Sequence, residues 1–215
     1  MPDVHIRLRN DFLWLILNRP PLNKLTVSMV DECAAALEQA HQHPPRLLVI
    51  TGTGEQAFCG GIEMPESQKE QKTLEEPGML NTQLAQAAER CEKALAELHT
   101  LQVPTVALVK GQAFDAGCEL AALCDTIIAH EQATFRLPTP ARSLFTSARS
   151  TCLPAAIGKT TMDKLIESEQ VFSAWEAFHL GLVHQVLPAR RFLLDAEELL
   201  LMLSLCPFPS IGESA

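Results

Sequence analysis

Between Pro104 and Asp125 the chain reads PTVALVKGQAFDAGCELAALCD, and this stretch restricts the fold more than any other. Pro104 to Val109 is an apolar, β-branched run of strand length, the pattern of a buried strand. Gly111 breaks the run, a short turn carries Asp115 and Gly117, and CELAALC then starts a compact helix. Strand, tight turn and helix N-terminus in that order aim backbone N–H groups at an anion. Glu119 falls just inside the helix start, among apolar neighbours. Desolvation there would move its pKa toward neutrality, while the helix dipole and nearby donors would hold it down. An acid in this position is also an ordinary feature of a βα unit, because helix N-termini favour negative charge.

The rest of the chain narrows the partners. The net charge is −9 over 215 residues, with no basic block. That argues against nucleic acid as a main partner and gives no reason to invoke an anionic membrane. The length suits one domain with a full core and a small appendage. No apolar run reaches the roughly 18 residues of a membrane span, and no signal-peptide pattern opens the chain. Seven cysteines (33, 59, 91, 118, 124, 152 and 206) are an odd number without CxxC spacing. Buried free thiols in a reducing, cytoplasmic setting are therefore expected. Tyrosine is absent, so no tyrosine can serve as acid or base. His5, His99, His130, His179 and His184 make no metal-spaced or triad-like pattern and read as surface or half-buried polar filler.

In chain order, VHIRLR (4–9) alternates and FLWLIL (12–17) is continuously apolar, with Asn10-Asp11 between them as a hairpin turn. Thr26 can cap a helix whose apolar positions Val30, Cys33, Ala34 and Leu37 step at helical spacing. RLLVITG (46–52) is a short buried strand, followed by the glycine-rich AFCGGIE (57–63). Residues 64–80 are polar, charged and bounded by prolines, a surface loop or frayed helix. A helical stripe from Asn81 ends near Thr100. Strands follow at 125–130 and 133–137, and Pro138 and Pro140 break regular structure there. Residues 160–169 are helical, 173–188 is a helix stopped by Gly181 with a strand-like exit, and Arg191 to Cys206 is an apolar last helix. Strands alternating with helices give an α/β class.

Five pieces in this order resemble the crotonase superfamily, the enoyl-CoA hydratase/isomerase group. LILNRPPLNKL (15–25) is similar to its LNRP…N.L pattern, and QAFCGGIE (56–63) to its AF(S/C)AG.D loop. VPTVALVKGQAFDAGCELAALCDTIIA (103–129) resembles its KP.IAAV.G.A.GGG.E.A..CD..IA block. ATFRLP (133–138) and SAWEAFHLGLVHQVLP (173–188) resemble its A.FG.PE and A.EA...GLV..V.P segments. The resemblance spans residues 4–205. It implies a ClpP/crotonase spiral of ββα turns over residues 1–190, with 191–215 a short or incomplete C-terminal helical region. It implies an acyl-CoA (or carrier-bound) thioester as substrate, with no separate cofactor and no metal, and a homotrimer or dimer of trimers.

The resemblance also assigns a site. Two backbone N–H groups, Ile62 and Ala116, would form an oxyanion hole for the thioester oxygen, and Glu119 would be an acid/base. Gly61, Gly117, Asp115, Thr139, Leu25 and Ala57 would line the substrate site. Glycines at 60, 61 and 117 let the backbone approach a ligand closely. Taken alone, AFCGGIE also fits an ordinary glycine turn.

Three departures qualify the assignment. Hydratases of the family use two glutamates, and the second position is Thr139 here, with no Asp or Glu between Glu131 and Asp163. A lone Glu119 could still take and deliver a proton in one concerted step, or shuttle it between carbons. Asp115, where the family usually has glycine, is either a spare acid or a solvated turn or cap residue. The family's glycine-rich turn reads SLFTSARSTCLP (143–154), without glycine, so the backbone and the floor of the acyl pocket should differ. Hydration is the first expectation for activity, then isomerisation or decarboxylation. The alternative is a catalytically impaired homologue serving as an accessory or assembly subunit. A chain this short would also leave the pocket more open and trimer contacts fewer.

Overall fold

A computed structural model describes residues 3–63 and 79–205. Most of the expected 64–80 loop, Cys206 and the residues after it lie outside that description. β1 (Val4–Arg9) and β2 (Phe12–Leu17) pair antiparallel across Asn10 and Asp11, both with positive φ as a tight primed turn requires. α1 (Val27–Gln42) starts where Thr26 Oγ1 accepts the Met29 N–H at 3.2 Å. β3 (Leu47–Gly52), β5 (Thr105–Val109), β7 (Thr126–His130) and β10 (Gln185–Leu187) extend the hairpin into a six-stranded sheet, parallel from β2 onward.

A second, four-stranded sheet accompanies it, made of β4 (Ala57–Cys59), β6 (Gln112–Phe114), β8 (Thr134–Arg136) and β9 (Phe172–Ser173). β3, β5 and β7 of the large sheet are each followed by a strand of the small one, and then by helix. The helices are α2 (Met79–Thr100), α3 (Ala116–Ala122) and, after a π-helical turn at Ala148–Cys152, α4 (Leu153–Ile157). That succession is the expected spiral of ββα turns. α5 (Lys159–Ser168) and α6 (Ala174–Leu180) follow, and α6 closes on Gly181 with φ 89°.

The continuous apolar runs in the sequence have a direct cause: the central strands are covered on both faces. Leu48, Ile50, Ala107 and Val109 face α1 and α2. Leu47, Val49, Val106 and Leu108 face the last helix, α7 (Phe192–Leu205), which seats Phe192, Ala196 and Leu200 on them. Six cysteines among the described residues are free, and five of them are buried.

His99 is more than filler. Its Nε2 lies 3.1 Å from Asp125 Oδ1, and Asp125 Oδ2 accepts the Thr105 N–H at 2.8 Å and its hydroxyl at 2.7 Å. The end of α2 is thereby tied to the start of β5 and to the turn before β7. The bond to Asp125 raises the His99 pKa against the opposing effect of burial. Burial alone would raise Asp125, but the bonds from His99 and Thr105 together outweigh it and hold its carboxyl below the usual value. We expect Asp125→Ala to cost about 2 kcal/mol, chiefly by leaving the Thr105 N–H and hydroxyl without their acceptor, because half-exposed His99 is screened by solvent. A drop of about 4–8 °C in melting temperature would show it. The difference from wild type should be largest with His99 charged, and should shrink as pH rises through its raised pKa.

Candidate active site

The glycine-rich segment after β4 is fixed by the loop after β2. Asn23, fully buried, donates from Nδ2 to the carbonyls of Thr53 (2.9 Å) and Ala57 (2.8 Å), and its Oδ1 accepts the Arg19 N–H at 3.0 Å. Gly60 N–H donates to Leu22 O at 2.8 Å. Leu25 then bridges the segment: its N–H donates to Gly61 O at 2.8 Å and its carbonyl accepts the Glu63 N–H at 2.9 Å. In a parallel bridge of this kind the residue between, Ile62, turns its own N–H to the opposite side. That amide donates to no described residue. The side chains of Leu25 and Ala57 are buried, so what these two bring to the segment is main chain.

The opposite side is occupied by the turn between β6 and α3. β4 and β6 pair in parallel, and the chains beyond them continue side by side. Gly61, at φ 93°, sits so that a Cβ would lie 3.3 Å from Asp115 Cβ. Gly117 packs directly on Cys59: a Cβ there would overlap the Cys59 carbonyl and stand 2.8 Å from Cys59 Cβ. Asp115 O accepts the N–H groups of Cys118 (2.9 Å) and Glu119 (3.2 Å), while the Ala116 N–H ahead of them donates to no described residue. The Ile62 and Ala116 N–H groups, with no acceptor among the described residues, thus lie on adjoining segments.

Glu119 lies three residues beyond Ala116, one turn along the same helix face. It is fully buried (0% exposed) yet not without partners. Oε2 accepts the N–H groups of Leu144 (2.8 Å) and Phe145 (3.0 Å), and Oε1 accepts the Ser143 hydroxyl at 2.5 Å. Burial pushes its pKa up, opposed by the bonds from Leu144, Ser143 and Phe145 and by the nearby charge of Arg149. The result is a carboxyl raised above the usual glutamate value of 4.5. Such a group exchanges a proton nearer neutrality than an exposed glutamate does.

Asp115 is not the solvated turn acid or side-chain cap considered from sequence. It is buried, and its side chain makes no cap bond. Arg136, opposite Phe114 in the β6–β8 pairing, donates from Nη2 to Oδ2 (2.7 Å) and from Nε to Oδ1 (3.2 Å). The same guanidinium covers the Phe114 ring at 4.7 Å. Asp115 has φ 54° and ψ −123°, a conformation that glycine adopts without strain. With both oxygens on Arg136, it is not a free acid beside Glu119.

Thr139 precedes a 3-10 turn (Pro140–Arg142), in extended backbone, and its side chain makes no hydrogen bond to a described residue. The glycine-free stretch after it runs through Ser143–Phe145, which arches onto Glu119, and into the π-helical turn. No residue from 139 to 157 has positive φ. Cys59 and Cys118 are fully buried, and burial pushes the Cys59 thiol up to about 12 and Cys118 higher still. Both are packing groups.

A family model described as enoyl-CoA hydratase/isomerase matches residues 9–205. The chain belongs to the enoyl-CoA hydratase/isomerase family. It is 31% identical to the 2,3-dehydroadipyl-CoA hydratase of Escherichia coli, over 88% of this chain and 71% of that relative. It is 30% identical to the crotonyl-CoA hydratase of Syntrophomonas wolfei, over 86% of this chain and 69% of the relative. A solved enoyl-CoA hydratase from Mycobacterium avium subsp. paratuberculosis superposes with a TM-score of 0.79 at 26% identity, covering 99% of this chain and 81% of that one. These relationships confirm the crotonase fold and favour an enzyme of hydratase/isomerase type over the accessory-subunit alternative.

Within this family frame, three residues that sequence reasoning passed over shape the site. Asn23 was visible as an asparagine in a proline-rich loop, and Arg136 as a cation inside a short strand. Ser143 carried no signal at all. The expected outcome of Gly117→Ala is a loss of about 3 kcal/mol or more, because both sides of the clash are backbone and neither can swing away. Urea unfolding would measure it; a stability equal to wild type would mean that the two segments are not in contact.

Proposed function

We propose that the protein adds water across the double bond of an enoyl-CoA thioester, with Glu119 as its single acid/base. The observation that carries this reading is the pair of amides without an acceptor among the described residues, Ile62 and Ala116, on adjoining segments, with the buried Glu119 carboxyl one helical turn beyond Ala116. A thioester oxygen received by those N–H groups would have its developing enolate charge stabilised, at about 2.7–4 kcal/mol per donor. Glu119 would take a proton from water as the oxygen attacks the β-carbon, then return it to the α-carbon. Gly61 and Gly117 let the two segments that carry these amides close on each other, and Asp115 and Thr139 would flank the thioester.

Isomerisation of a double bond is the second reading, favoured by one observation: Thr139 offers no carboxylate, and moving a proton between carbons needs only one. The family relatives named above are hydratases, which supports hydration as the first. The family resemblance supports a homotrimer or dimer of trimers. The exposed apolar side chains of α7, Leu193, Leu194, Leu201, Met202 and Leu205, support self-association. The free thiols support a reducing, cytoplasmic setting. No helix among the described residues is long and apolar enough to cross a membrane.

Purified protein should hydrate crotonyl-CoA, and Glu119→Gln should lower kcat by about 10²–10⁴. The variant should keep its fold, since the amide oxygen can still accept the Leu144 and Phe145 N–H groups. As Glu119 must be ionised to act as base, kcat/KM should rise with pH through its raised pKa. The acid limb should therefore lie above the ordinary value of 4.5. Isomerisation of a 3-enoyl-CoA without hydration would select the second reading. Loss of neither activity in Glu119→Gln would remove Glu119 from the chemistry.

A further inference from the structure

We propose that Ser143 is the proton-relay hydroxyl through which Glu119 exchanges its proton with water and substrate. This rests on the acid/base reading of Glu119 and goes beyond it. The two oxygens of the carboxyl are not equivalent. Oε2 accepts two backbone N–H groups, Leu144 at 2.8 Å and Phe145 at 3.0 Å, which uses both its lone pairs. An added proton must therefore sit on Oε1. Among the described residues, the only hydrogen-bond partner of Oε1 is the Ser143 hydroxyl, at the short distance of 2.5 Å. Glu119 itself is 0% exposed, whereas Ser143 is partly exposed, so the hydroxyl is the outer member of the pair. No carboxylate stands at Thr139 to share the proton traffic. Asp115 is committed to Arg136.

The step balances without any further reagent. Water forms its C–O bond to the β-carbon and gives a proton to Ser143 Oγ, while the Ser143 hydroxyl proton passes to Glu119 Oε1. The π pair of the double bond moves into the thioester, giving an enolate at the Ile62 and Ala116 N–H groups. The relay then reverses. The Glu119 proton returns to Ser143 Oγ, the Ser143 proton goes to the α-carbon, and the enolate pair forms the new C–H bond. Serine ends as it began, and the elements of water have been added. Throughout, the Leu144 and Phe145 N–H groups hold Oε2 still, so only one oxygen changes its protonation.

The test uses crotonyl-CoA hydration by the intact chain. Ser143→Ala should lower kcat about 100-fold with KM little changed, and Ser143→Thr, which restores a hydroxyl, should recover most of the loss. In mixtures of light and heavy water the wild-type rate should fall along a curve, as expected for two protons moving in one transition state. The wild-type measurement requires no variant to fold. A linear dependence in wild type, or a Ser143→Ala enzyme with near-normal kcat, would overturn the relay while leaving Glu119 as the acid/base. A wild type without hydration, or one indifferent to Glu119→Gln, would instead remove the functional reading on which the relay rests.

Discussion

At Gly117 the chain lies so close to the Cys59 carbonyl that no side chain fits between them, and the geometry of the site follows from that approach. β4 and β6 are three-residue strands, joined in parallel with an irregular register. So few ladder bonds cannot by themselves fix the chain beyond them. The contact at Gly117 extends the alignment past the strand ends, and Gly61 against Asp115 extends it again. The loop after β2 closes the other side, with Asn23 and Leu25 consuming the donors and acceptors that face it. Among the described residues, the amides of Ile62 and Ala116 then have no acceptor.

Two acids four residues apart are then given different characters by their surroundings. Asp115 meets a full positive charge in a two-pronged contact with Arg136, so its negative charge is cancelled locally. Glu119 meets two neutral N–H groups and a hydroxyl in a buried setting, with Arg149 the charge that acts on it, and burial prevails. The first arrangement makes a fixed ion pair that offsets the strain of a positive φ. The second makes a group able to change its charge. Divergent environments of this kind commonly separate structural from chemical roles in neighbouring carboxylates.

The legible part of this chain was its long elements. β2, β3 and β5 are continuous apolar runs because both faces are covered, and α1 carried its Thr26 cap in the open. Gly181 marked a helix end that the structure closes in the left-handed region. The second sheet was largely invisible, since strands of two or three residues show no period. The sequence assigned Ala116 and Glu119 from the block around Gly117, and Ile62 from the separate glycine-rich loop at 57–63. The Asp115–Arg136 and His99–Asp125 pairs were not, because each joins residues more than 20 apart through a sheet register that sequence does not display. Ser143 was hidden for a further reason: its bond to Glu119 depends on the path of an irregular segment, and only the folded chain brings position 143 back over α3.

That irregular segment also bears on the missing second carboxylate. Without glycine, residues 143–154 stay at negative φ and enter a π-helical turn, an arrangement often found where backbone groups are turned toward a site. Phe145, fully buried, anchors the arch, and its N–H and that of Leu144 then point at Glu119 rather than at one another's carbonyls. Enzymes with two acids divide their labour between residues: one holds water while the other delivers a proton. With a single acid the division has to fall between the two oxygens of one carboxyl. In the proposed relay, a neutral Thr139 and a turn that saturates Oε2 would be parts of one arrangement, with backbone donors on the fixed oxygen and a hydroxyl on the labile one.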